Sequence, residues 1–164
     1  MKKLEDIDWS DPNDSISEFF TVHEALWLPS WEIHHKPNAQ EKRNIHELAK
    51  RMDKVRAYLG WPIIVHCWIR PTAVSCDDPK YKGKNYNLFV GSTSLKSAHI
   101  KGKAVDWHAA YPKFLPVGGV RSCDFVRGCL FHELKEFGLR MENIQGSWIH
   151  TDTAPVGNQR FFKP

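Results

Sequence analysis

The stretch between Asn38 and Gly60 constrains the fold more than any other part of the chain. Ile45, Leu48, Ala49, Met52, Val55 and Leu59 recur at three- and four-residue intervals, which places one apolar stripe along a helix. Asn38 stands where an N-cap belongs, with Glu41 three residues on as its capping-box partner. Gly60 and Pro62 then end the segment. A helix with a single apolar face is unstable alone, so the remaining chain must supply a layer to cover it.

Three segments are suited to that layer. "PIIVHCWIR" is dense in β-branched and aromatic residues and reads as a strand delivering Arg70 at its end. "KAVDWHAAY" and "GSWIHTDT" read as two more. A second amphipathic helix is expected over "SCDFVRGCLFHELKEFG", with Ser122 as its cap, Phe125, Val126, Cys129, Leu130, Leu134 and Phe137 inward, and Gly138 at its end. "SEFFTVHEAL" reads as a short helix or turn packing Phe19 and Phe20. Helices and strands do not alternate strictly, so the expected class is α+β: a small, mostly antiparallel sheet flanked by helices. Residues 1–16 are polar and contain Asp-Pro, which suggests a flexible N-terminal arm ahead of a single domain over 17–164. Residues 71–96 form a long connection without apolar period, of the kind that is functional or mobile.

Composition excludes several classes. With 164 residues, 41% hydrophobic and 26% charged, the chain can bury a core and is not disordered as a whole. Seven tryptophans are many for this size, and some should line a groove. Cys67, Cys76, Cys123 and Cys129 form no CxxC pair and read as packing thiols. The opening "MKKLEDIDWSDPND" follows its lysines with acids, unlike a secretory signal, and no window approaches the ~20 apolar residues of a membrane span. The expectation is therefore a product made in the cytoplasm, with no membrane insertion. A net charge of +4 is too mild to mark a nucleic-acid binder. Lys80, Lys82, Lys84, Lys96, Lys101 and Lys103 are nevertheless concentrated in one region, as a solvated loop or a site for an anionic polymer would have them.

That region leads into "SAHIKGKAVDW". On a straight helix His99 and Asp106 would lie about 10 Å apart along the axis and could not share a site. A turn at Gly102 followed by a strand can fold them together. Along that strand Ala104 and Asp106 share one face, and the small residue beside the acid leaves room for an ion. Zinc wants at least three protein ligands. His150 is the candidate third, because alternation along "SWIHTD" puts Trp148, His150 and Asp152 on one face. Asp152 could orient a ligand or accept a proton from the attacking water.

"SAHIKGKAVD", with Ser97, His99, Gly102, Ala104 and Asp106, followed by "WIHTD", resembles the signature of the M15 peptidases. These are zinc D-alanyl-D-alanine carboxypeptidases and related phage endolysins, in a wider group with lysostaphin-type peptidases and the hedgehog signalling domain. "EFFTVHEAL", "NIHELAKRMDKVRAYLGWPIIVHCWIRP" and "VGSTSLKSAH" resemble the same family upstream, so the likeness spans roughly residues 18–154. It implies one zinc ion held by His99, Asp106 and His150, with Arg70 facing a substrate carbonyl or carboxylate. A planar cation at a strand end beside a metal suits that role. Many relatives carry an acid or a second histidine two or three residues before the last ligand, where this chain has Ser147 and Trp148. Glu142, in "LRMEN", is the next carboxylate upstream and is taken as the general base ahead of Asp152.

The implied activity is hydrolysis of peptidoglycan stem peptides, as a carboxypeptidase or endopeptidase, by a monomer. It would reach the cell wall through a phage-type lysis system or on a virion. The alternative is a non-catalytic, zinc-containing cell-wall-binding or structural module, supported by Ser147 and Trp148. A third reading, nucleic-acid binding through the alternating lysines and aromatics of "KYKGKNYNLF", leaves His99, Asp106 and His150 unexplained and is set aside.

Overall fold

A computed structural model describes residues 2–92, 96–110, 120–143, 146–155 and 161–162. Helix α1 (Val22–Leu26) precedes a two-stranded antiparallel hairpin of β1 (Trp27–Leu28) and β2 (Ile33–His34). Helix α2 (Ala39–Leu59) follows, then β3 (Ile63–Cys67), α3 (Tyr86–Phe89), a 3-10 turn (Ala98–Lys101) and β4 (Ala104–Ala109). The remaining elements are α4 (Val120–Leu130), α5 (Leu134–Phe137), β5 (Arg140–Glu142), β6 (Ile149–Asp152) and β7 (Phe161–Phe162). The five-stranded sheet runs β3-β4-β6-β5-β7. Its first three pairings are antiparallel and the last, β5 with β7, is parallel. The architecture is thus a mixed α/β fold with helices against a mostly antiparallel sheet.

Helix α2 has the expected ends. The Asn38 side chain accepts hydrogen bonds from Gln40 N and Glu41 N at 2.9 and 3.0 Å, and the Glu41 carboxylate accepts one from Asn38 N at 2.8 Å. Gly60 closes the helix in the left-handed conformation. Ile45, Leu48, Ala49, Met52 and Val55 are fully buried, and each such side chain stabilises the fold by roughly 1–3 kcal/mol. Trp68 and Trp107 lie fully buried in the same apolar cluster. The four cysteines are free thiols.

Several elements depart from the sequence expectations. The described part of the N-terminal arm is packed: Ile7 and Ile16 are buried, Lys2 pairs with Asp14, and His46 of α2 bonds the Lys2 carbonyl. Its few apolar residues suffice because α2 offers a complementary surface, and buried Asp53 accepts hydrogen bonds from Ser17 Oγ, Glu18 N and Phe19 N. The second amphipathic segment divides into α4 and α5, and Phe125 faces out at 53% exposure, tilted against Trp61. The helix begins at Val120, and the expected Ser122 cap side chain lies outside the described residues. The long connection after Arg70 is anchored by Tyr81, which stacks on Trp31 with ring centroids 4.4 Å apart, and by buried Tyr86 at the start of α3.

Candidate metal site

The turn at Gly102 does what its position suggests. Gly102 sits at φ +66° and ends the 3-10 turn that carries His99, and Ala104 then opens β4. The turn packs on α2, where Asn44 Nδ2 donates to the Lys101 carbonyl at 2.7 Å. Strand β4 pairs with β6 so that Asp106 lies opposite His150. Three donor atoms converge as a result. His99 Nε2 lies 3.2 Å from Asp106 Oδ1 and 3.1 Å from His150 Nδ1, and His150 Nδ1 lies 2.9 Å from Asp106 Oδ1. This cluster could hold a metal ion, and it is the one group of three such side chains among the described residues.

Each member is fixed from behind. His99 Nδ1 donates to the Trp68 carbonyl at 2.8 Å; a carbonyl only accepts, so the proton sits on Nδ1 and the Nε2 lone pair faces the cluster. His150 Nε2 donates to Asp152 Oδ2 at 3.3 Å, which turns Nδ1 inward. Asp106 presents Oδ1 to the histidines while Arg70 Nη2 holds Oδ2. Asp152 is itself held by Arg140 Nε and by the Ala154 amide.

The electrostatics follow from burial and these contacts. Burial lowers the His99 pKa. Burial would raise that of Asp106, but the two histidines outweigh it and hold the carboxyl far below the usual range. Burial would likewise depress His150, yet its hydrogen bonds to Asp106 and Asp152 prevail and raise it to about 9. A metal arriving at the cluster must therefore displace a proton from His150.

The cluster opens into a cavity of about 400 Å³ that is also lined by Arg70, Lys96, Arg140, Glu142 and Trp148. Glu142 has no hydrogen bond or ion pair among the described residues, and burial raises its pKa. Trp148 is 45% exposed, and its carbonyl is held by Arg127 of α4 at 2.7 Å.

The structure thus brings together His99, Asp106 and His150, and places Glu142 and Arg70 on the same cavity. It gives Arg70 another partner than expected, and it gives Asp152 the contact of a ligand-orienting group, one of the two roles considered for it. Asp152 borders the cavity, but its oxygens are engaged by His150 and Arg140. Arg70 is engaged by Asp106, with Asn87 Oδ1 3.5 Å from its other amino group. Arg140 was not singled out from sequence, although alternation along β5 puts it on the face of Glu142, and both line the cavity. The Trp68 carbonyl carried no sequence signal at all. No family model, curated protein or solved structure matches this chain.

Proposed function

We propose that this chain is a zinc-dependent peptidase acting on the stem peptides of bacterial peptidoglycan. The observation that carries the reading is the convergence of two imidazole nitrogens and one carboxylate oxygen within 3.2 Å of one another, on the wall of an open cavity that also holds Glu142. A tetrahedral zinc with bonds near 2.0 Å spaces its ligand atoms by about 3.3 Å, so the donor set and its spacing suit that ion. Bound there, zinc would supply Lewis acidity toward a carbonyl oxygen and acidify water.

The chain's own residues supply the rest. Glu142, whose pKa is raised by burial and which has no competing partner among the described residues, accepts a proton from water and returns it to the departing amine. Asp152 holds His150 in the tautomer that offers Nδ1. Arg70 fixes the Asp106 carboxylate at the border of the cavity and so holds that ligand in place. The substrate class rests on the resemblance of "SAHIKGKAVD" and "WIHTD" to the M15 signature.

The test is to incubate purified protein with peptidoglycan fragments, with zinc and with a chelator, and to read the products by mass spectrometry. Cleavage abolished by the chelator supports the peptidase. One zinc bound per chain with intact fragments would refute it and favour the non-catalytic module, with Ser147 and Trp148 as the reason.

A further inference from the structure

A second cavity, of about 400 Å³, lies among the N-terminal arm, α1, β2 and the start of α2. It shares no described lining residue with the cavity at the metal cluster. Trp9 comes to it from the arm, Val22 and Leu26 from α1, His34 and His35 from the end of β2, and Lys42 from the first turn of α2. Val22 and Leu26 are buried and give it an apolar wall, and the half-buried indole of Trp9 extends that wall.

The charge of this cavity is one-sided. Lys36 and Lys42 line it together with the two imidazoles, and none of its described lining residues is acidic. The cavity at the metal cluster, by contrast, is lined by Asp106, Glu142 and Asp152. The acids nearest to Trp9 in sequence are occupied elsewhere: Asp8 accepts hydrogen bonds from Ser10, Asp11 accepts one from the Asn13 amide, and Asp14 pairs with Lys2. The ammonium groups of Lys36 and Lys42 have no hydrogen bond or ion pair among the described residues. Lys42 Nζ stands 5.8 Å from the centre of the Trp9 ring, near the outer limit of a cation–π contact. A cation and a flat apolar ring thus lie side by side, and the ammonium is free to turn to an anion.

His35 adds a third kind of contact. It lines the cavity although it is only 4% exposed. Its Nε2 lies 3.1 Å from Glu41 Oε2, and a carboxylate only accepts, so Nε2 carries a proton. Nδ1 has no partner among the described residues and can accept a hydrogen bond from a ligand in the cavity.

We propose that this cavity is a binding site, separate from the metal cluster, for a small ring-bearing anion: the ring lies against Trp9, a phosphate or carboxylate is held by Lys36 and Lys42, and a hydroxyl or N–H of the ligand donates to His35 Nδ1. A nucleoside monophosphate and an indole carboxylate both have this chemistry. The volume falls in the range of about 300–1,000 Å³ usual for small-molecule sites. Binding here needs no metal and does not depend on the peptidase reading.

The test is isothermal titration calorimetry on metal-free protein, so that no anion is drawn to zinc. Adenosine monophosphate and indole acetate are the probes, each compared with its separate halves: adenosine and inorganic phosphate, or indole and acetate. At least one probe should bind one per chain with Kd below about 1 mM, and its halves should bind about tenfold more weakly or worse, because ring and anion are both held. Binding of adenosine monophosphate alone identifies a phosphate ligand, and binding of indole acetate alone a carboxylate. The double variant Lys36→Glu/Lys42→Glu should weaken binding by about tenfold or more. Lys80→Glu/Lys84→Glu makes the same change of net charge at exposed lysines outside the cavity and should leave Kd within about twofold. Should the first double variant lose the circular dichroism spectrum of the parent, Lys36→Glu alone carries the test, since Lys36 is exposed, with a loss of about fivefold expected. The proposal is overturned if neither probe saturates at several millimolar, if an isolated half binds as tightly as the whole probe, if both double variants weaken binding equally, or if Lys36→Glu leaves Kd unchanged.

Discussion

Replacing Gly102 by alanine tests how the metal cluster depends on the helix behind it. The residue has φ +66°, and a Cβ built there would lie 2.8 Å from Ile45 Cγ1 and 3.4 Å from the Glu41 carbonyl oxygen. Two costs arise. Holding alanine in the left-handed region costs ~1–2 kcal/mol, partly offset by the lower entropy of the unfolded chain, for a net of about 1 kcal/mol. Ile45 is fully buried in α2 and cannot swing aside, so the clash adds ~1–3 kcal/mol of overpacking. The expected loss is about 3 kcal/mol, or a Tm lower by about 6–12 °C for a domain of this size. Gly91→Ala is the internal reference, because Gly91 has φ +79° with nothing within 4 Å of the added atom. Its loss should be about 1 kcal/mol. Urea denaturation of both variants, with m-values compared, isolates the difference of about 2 kcal/mol that belongs to the contact with α2. Because the turn carries His99, Gly102→Ala should also weaken metal binding and Gly91→Ala should not. Equal destabilisation by the two substitutions would refute the argument that α2 fixes the turn.

Three further outcomes are expected. Glu142→Gln should keep one zinc per chain, measured by elemental analysis, and lower kcat by about 10²–10⁴; an unchanged kcat removes Glu142 from proton transfer. Asp152→Ala should weaken metal affinity by about 10–100-fold in chelator competition, since His150 loses the acceptor that sets its tautomer, and an affinity within error of the parent would show that Asp152 does not orient it. Metal and proton compete for His150, whose pKa is raised from 6.5 to about 9, so zinc affinity should climb as pH rises through that window. The metal-free protein should move the opposite way, because a raised pKa gives stability that is present below 6.5 and lost as pH rises through about 9; parallel trends in the two titrations would refute the competition.

The readable parts of the fold were those with a period or a cap. Helix α2 shows both, and β3, β4 and β6 are dense enough in β-branched and aromatic residues to stand out. The metal cluster was legible because glycine marks the turn between His99 and Asp106, and alternation puts His150 and Asp152 on one face. Strands of two or three residues, such as β1, β2, β5 and β7, are too short to establish a period and form because a neighbour supplies the hydrogen bonds. The break between α4 and α5 falls at Phe131–Glu133, three residues after Gly128, so no glycine or proline announces it. The order of the segment around Tyr81 depends on Trp31, some fifty residues away, and distant partners leave no local trace. The same holds for the Trp68 carbonyl behind His99.

What lay beyond the sequence was chiefly the set of groups behind the ligands, and these decide how the site can act. An isolated buried carboxylate would take up a proton, and an isolated buried imidazole could present either nitrogen. His99 and His150 remove the first freedom at Asp106, whose outer oxygen Arg70 holds, and Asp152, itself held by Arg140, removes the second at His150. Both arginines of the cleft are thereby committed to the metal cluster. Neither can be drawn to another partner without loosening a ligand, and among the described lysines and arginines lining the cavity Lys96 alone carries no such commitment.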